Sequence, residues 1–207
     1  MTRALLAAFA LALLAACGGE PEVSDLETEV DLEIADPVGT SVWTVDREAS
    51  SIGFRATQNG KTFEGTFGRW NAAILLDLEA PEVEGSIEAL IDLASADAGS
   101  KDRNEALPEE AWFNTALHPV AVFRSTAIRS TGPGTYEADG TLTIKGITRE
   151  VVMPFSLEVD ENGRAIADGS VILDRSEFGV GTGEFADGKW VGLEVEVLLH
   201  IEAVPAG

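Results

Sequence analysis

Cysteine is nearly absent: the 207 residues hold one, Cys17, so no disulfide can form within the chain. Histidine is almost as scarce, with only His118 and His200. A zinc-type site wants three or four closely grouped Cys, His or carboxylate ligands. Two distant histidines make no such group, and no metal site is expected. Nucleophilic hydrolysis needs a serine or cysteine beside a base. The chain has no Gly-x-Ser-x-Gly, and His200 alternates with acids on a face that reads as surface. No Gly-rich loop opens a helix, so nucleotide binding is unsupported. No catalytic residue and no cofactor is assigned, and the chain is not read as an enzyme. Positive charge is scarce too. Lys and Arg number 14 against 36 Asp and Glu, for a net charge of −22. A phosphate backbone needs a basic partner surface, so nucleic acid is excluded as a partner. Long apolar runs are missing as well. The longest, residues 4–16, falls short of the about 20 residues that cross a bilayer as a helix.

That short run has its own meaning. Arg3 precedes it, small residues end it, and Cys17 follows at once, as in a secretory signal peptide. "LLAACGGE" resembles a bacterial lipobox, with cleavage before Cys17 and lipid joined to its thiol. Residues 1–16 are therefore read as a lipoprotein signal peptide and Cys17 as the lipidation site. Two or more acyl chains hold a protein stably to a membrane, whereas one holds it only reversibly. Gly18, in place of an aspartate, resembles the pattern for the outer rather than the inner membrane. The expected location is the periplasmic face of the envelope. Between Gly18 and Thr40 stand eight acids and no lysine or arginine. Residues 17–40 are read as the lipidated cysteine and an acidic, solvated tether. The acids have no calcium-loop spacing.

The remainder, residues 41–207, is long enough for one core. Strict alternation marks its end: Val191, Leu193, Val195, Val197, Leu199 and Ile201 are apolar, with Glu194, Glu196, His200 and Glu202 among the intervening positions. Period two means one dry and one wet strand face. Val151, Met153, Phe155, Leu157 and Val159 repeat the pattern, with Pro154 marking a break or bulge in the ladder. Shorter runs at 42–46, 52–57, 62–67, 72–78, 86–93, 120–130, 136–144 and 165–173 read as further strands. Asn59-Gly60, Asp139-Gly140, Lys145-Gly146, Asn162-Gly163 and Asp187-Gly188 read as turns. The class is all-β, with about 8–10 antiparallel strands in a barrel or a sandwich. Residues 98–115 break the rhythm as a short helical crossover. Ser100 would cap one helix and Pro108 start another. The inward aromatics carry no polar atoms, and residue type alone suits a solid core. A closed barrel would instead leave a ligand cavity.

Four ordered stretches decide between these. "WTVD" with "SSIGF" (43–54), "ALHPVAVFRSTAI" (116–128), "GTLTIKGITREVVMPF" (140–155) and "LDRSEFGVG" (173–181) resemble the YceI-like family. That resemblance implies a lipocalin-like antiparallel barrel around a long apolar tunnel holding an isoprenoid chain, either a polyprenyl lipid or an isoprenoid quinone. The dry strand faces then name the ligand-binding residues: Phe54, Phe63, Phe67, Ile87, Ile91, Phe123, Met153, Phe155, Leu157, Val195 and Val197. Trp112 and Phe113 would close or gate one end. Arg175, in the "DRS" string, is read as a structural ion-pair residue at the barrel end, or else as a contact for a ligand head group. The expected function is non-catalytic binding, transport or storage of a long isoprenoid lipid. The alternatives are an envelope stress or interaction lipoprotein with a filled barrel and a protein partner, and an enzyme acting on an isoprenoid. Whether the chain forms a homodimer is left open.

Overall fold

The computed structural model describes residues 30–206. The residues read as a signal peptide, Cys17 and most of the residues read as an acidic tether lie outside the described residues. The alternating segments form eleven strands: β1 (Val42–Val45), β2 (Ser51–Gln58), β3 (Lys61–Phe67), β4 (Trp70–Leu76), β5 (Gly85–Asp92), β6 (Ala96–Asp97), β7 (Val120–Gly132), β8 (Thr135–Ile144), β9 (Ile147–Val159), β10 (Ala165–Asp174) and β11 (Glu194–Pro205). They build a closed, eight-stranded antiparallel barrel with one short helix. Three staves are each broken in two. β1 and β2 both pair with β11, through Trp43↔Pro205 and Phe54↔Val197. β3 passes into β4 across Gly68 and Arg69 alone, and β5 into β6 across a 3-10 turn at Leu93–Ser95. β4 pairs with β1 and β5, and β7 to β11 complete the ring.

The two ends of the barrel differ. One carries the Asn59-Gly60 and Lys145-Gly146 turns, the crossover between β6 and β7, and the 175–193 loop before β11. The other carries the connections at 77–84, 133–134 and 160–164. Asn59 and Gly60 both take positive φ, as do Lys145 and Gly146, which is the tight-hairpin geometry. Asp139-Gly140 is not a turn; both residues sit inside β8. Gly140 is there for space, because a Cβ would strike the Phe123 ring and the Arg124 carbonyl. The crossover holds one helix, α1 (Lys101–Ala106), whose first turn follows Ser100 without a side-chain capping bond. The second helix expected at Pro108 does not form. Residues 107–117 coil into turns closed by Phe113 N–H to Leu107 O and Asn114 N–H to Glu109 O, and Asn114 at positive φ ends them.

Pro154 acts on one side only. β8 pairs through it without a slip, Glu137 lying opposite. The ladder to β10 runs from Ala165↔Val159 to Gly169↔Phe155 and stops there. The register shifts lie instead between β7 and β8, at Ser125/Ala127 and Ser130/Gly132.

The tether is not wholly solvated. Val30, Leu32 and Ile34 are half-buried while Asp31, Glu33 and Asp36 face solvent. Arg69 donates to Val30 O at 3.1 Å and Asn71 to Leu32 O at 3.0 Å. Glu84 accepts from the Thr40 amide and the Ser41 hydroxyl. Residues 30–41 thus form a strap along the outside of β4. Val30, Leu32 and Ile34 lie against the wall, Val38 stands exposed, and the acids stay in water.

Candidate functional site

The barrel is hollow. Alternation sends one side-chain set of every strand inward, and eight tilted strands enclose more space than these side chains fill. Two apolar chambers result. The larger, about 500 Å³, lies toward the crossover end. The smaller, about 160 Å³, lies toward the far end. Ile52, Ile91, Leu142, Leu173 and Val197 line both, so the chambers stack along the barrel axis.

Phe54, Phe63, Phe67, Trp112, Phe113 and Val195 line the larger chamber. Ile87, Phe123, Met153, Phe155 and Leu157 line the smaller. Ile91 and Val197 border both, so all thirteen residues named from the sequence face this space. One wall is a file of aromatic rings. Phe54 meets Phe63 edge-on at 6.4 Å and Phe67 at 5.4 Å, and Phe67 meets Phe113 at 6.3 Å. Trp112 packs on Phe185 at 5.1 Å in the crossover end. In the deeper chamber Phe155 stacks on Tyr136.

Two kinds of lining residue escape the aromatic count. Ala72, Ala89, Ala138, Ala167 and Gly169 point inward and create the smaller chamber by what they lack. Their parity was readable, but small side chains look neutral beside phenylalanines. Leu107, Phe178, Val180 and Phe185 come from the loops, where alternation gives no guidance, and Val191, which the alternation put at the start of the last strand, lies in the loop before β11.

Arg175 is the buried polar group of the larger chamber, and it makes no ion pair among the described residues. All its guanidinium donors meet backbone carbonyls. Nε reaches Gly192 O at 2.9 Å, Nη1 reaches Val180 O and Gly181 O at 2.7 and 2.9 Å, and Nη2 reaches Phe185 O and Val191 O at 2.6 and 2.7 Å. Trp112 covers its face at 5.4 Å. Burial draws its pKa below the usual arginine value, with Asp174 opposing. The ion-pair expectation is corrected: an arginine fork suits five converging carbonyls, and they leave it no donor for a ligand. Gly181 is required beside it, since a Cβ there would overlap the guanidinium and its φ is +76°.

The polar edge of the tunnel is elsewhere. Arg103 Nη1 donates to Gln58 at 3.2 Å, its Nε donates to Ala98 O, and its charge sits 4.2 Å over the Phe63 ring. Ser100 and Asp102 lie at the same rim. A larger concavity of about 920 Å³ opens on the outer wall near His200, Asp168 and Glu64. It is shallow and open to solvent, and encloses nothing. His118 lies beside Gly146 at the crossover end, away from His200 on β11. Among the described residues no cluster of three metal-ligating side chains occurs.

The YceI-like domain family matches residues 43–203. The chain belongs to that family. BcnA of Burkholderia cenocepacia, of known crystal structure, is 33% identical with a TM-score of 0.74, covering 78% of this chain and all of that one. A polyisoprenoid-binding domain from Saccharophagus degradans superposes with a TM-score of 0.63 at 13% identity, over 81% of this chain and all of that one, which shows a shared fold. A UPF0312 protein of Azotobacter vinelandii is 25% identical over 170 residues, 78% of this chain and 86% of its own. None of these three bears an enzyme's name.

Proposed function

We propose that this YceI-like protein is a non-catalytic carrier. It holds the chain of an isoprenoid lipid, a polyprenyl lipid or a quinone, in the two stacked chambers. Cys17 fastens it by lipid to the periplasmic face of the envelope, the outer membrane in preference to the inner. The enclosed apolar tunnel carries the reading. Its deeper chamber is lined almost wholly by carbon, which suits a guest without hydrogen-bonding groups. Each methylene moved from water into it contributes about 0.8 kcal/mol. The rim at Gln58, Ser100 and Arg103 receives the head group, where such a group keeps its polar partners. The Saccharophagus degradans domain, named for polyisoprenoid binding, shares the barrel and supports the same guest class.

Native mass spectrometry of the soluble domain, residues 41–207, purified from bacteria without detergent, tests this. The expected result is a stoichiometric adduct that extracts as a prenyl lipid or quinone. Phe155→Glu, which puts a carboxylate in the deeper chamber, should fold and lose the adduct. A bare mass for the native sequence, unchanged after incubation with isoprenoid lipids, would exclude the carrier.

A further inference from the structure

The strap decides where the N-terminal chain leaves the barrel. Were residues 30–41 free, the tether would start at Ser41, whose carbonyl bonds Leu76 N–H at the end remote from the crossover. The strap instead runs beside β4. Ser41 lies by Leu76, Leu32 is held by Asn71 and Val30 by Arg69. Traced backward from Ser41 to Val30, the chain therefore climbs from the far end to the β3–β4 junction, partway up the stave, and heads toward the crossover end, where the wide chamber lies. From Val30 to Cys17 there are thirteen further residue steps, roughly 45 Å fully extended.

The same end carries an uncommon surface. The chain has four lysines, Lys61, Lys101, Lys145 and Lys189. Each stands at a strand start, a helix start, a turn or a loop of the crossover end; the opposite end has none. Trp190 is 47% exposed there, beneath the Lys189 ammonium at 4.7 Å, and Leu117 is 73% exposed. Tryptophan and lysine together suit the headgroup layer of a bilayer.

We propose that the strap and the crossover end hold the tunnel mouth against the phospholipid bilayer in which Cys17 is anchored. This rests on the lipid-anchor and carrier readings above. A prenyl chain then passes between bilayer and tunnel without crossing water. Carboxylates such as Glu109, Glu184 and Asp187 share this end, so the lysines alone do not bind a membrane. The anchor supplies the missing affinity, because a short tether raises the local concentration to about the millimolar range.

A chain beginning at Cys17 and made without lipidation, coupled through its free thiol to a maleimide-bearing lipid, is placed in phosphatidylethanolamine–phosphatidylglycerol vesicles. Their acyl chains are brominated near the headgroup. Tryptophan emission should be quenched, and Trp190→Phe should remove most of that quenching. Leu32→Asp combined with Asn71→Ala, which frees the strap, should reduce the quenching several-fold and leave prenyl loading unchanged. Uncoupled protein should show none. Absent quenching in the coupled native chain overturns the orientation, as does quenching indifferent to Trp190→Phe. Quenching without any prenyl adduct leaves the orientation standing and removes the carrier. If the strap variant does not fold, Lys101→Glu with Lys189→Glu, both on exposed side chains, should lower the quenching instead.

Discussion

Arg175 shows how one side chain holds an otherwise irregular end of the molecule. Five carbonyls from the loop before β11 point inward because the chain there holds only short 3-10 turns and no regular ladder, and burial denies them water. A guanidinium carries five donors in a fixed fork and satisfies all of them. Arg175→Lys offers three donors from one point and should leave carbonyls orphaned. The expected loss is about 3–5 kcal/mol, on the scale of breaking a buried charged network, read by chemical denaturation. His200 is a contrasting, surface case. Its Nδ1 lies 2.8 Å from Asp168 and its Nε2 3.6 Å from Glu202, which Arg164 also holds. The hydrogen bond to Asp168 raises its pKa above the usual histidine value, against a small opposing effect of burial. Because the folded value is raised, the contribution to stability is full below about pH 6.5 and fades as pH climbs through the raised value. Proton-detected titration should find His200 above the ordinary value, and Asp168→Asn should bring it down.

At the scale of elements, volume is set by paired inward positions. Ala167 on β10 faces Leu157 on β9 and Ile201 on β11. Ala167→Phe should occupy the smaller chamber and leave the larger one open. The variant should retain short prenyl chains and reject long ones, as seen by native mass spectrometry with a chain-length series. Overpacking of a filled interior would instead cost about 1–3 kcal/mol, so an unchanged denaturation midpoint distinguishes free volume from packed core. The broken staves have a comparable logic. Gly65 on β3 sits opposite Phe54, and any Cβ there would overlap that ring. Glycine at that point lets the aromatic file lie flat along the wall of the larger chamber.

At the scale of the whole molecule, acidity and apolar content are segregated. The inner faces hold carbon, the outer faces hold carboxylates, and like charge keeps such proteins apart in solution. The strap extends this division past the barrel, with Val30, Leu32 and Ile34 turned to the wall and Asp31 and Glu33 to water. The consequence is directional. A barrel has two ends, and the strap directs the chain away from the far end, toward the one with the wide chamber, all four lysines and Trp190.

Strand identity and facing were local properties, and the sequence by itself determined them. From Val195 to Ile201 each inward residue follows from its neighbours two places away, since a pleated strand admits no other periodicity. The aromatic lining was legible for that reason. Asp139-Gly140 was misread because a turn dipeptide and a glycine making room for a ring look alike until Phe123 lies across the ladder. Pro108 could start a helix, but Phe113 and Asn114 had turn partners that only the packed crossover supplies. The strap showed its own alternation, yet its charges outweighed it until β4 was there to receive it. Closure of the ring, the empty volume left by Ala138 and Ala167, and the carbonyl cage around Arg175 were decided by tertiary structure alone. Each depends on atoms far apart in the chain meeting at fixed distances, and a residue's type does not record what will stand opposite it.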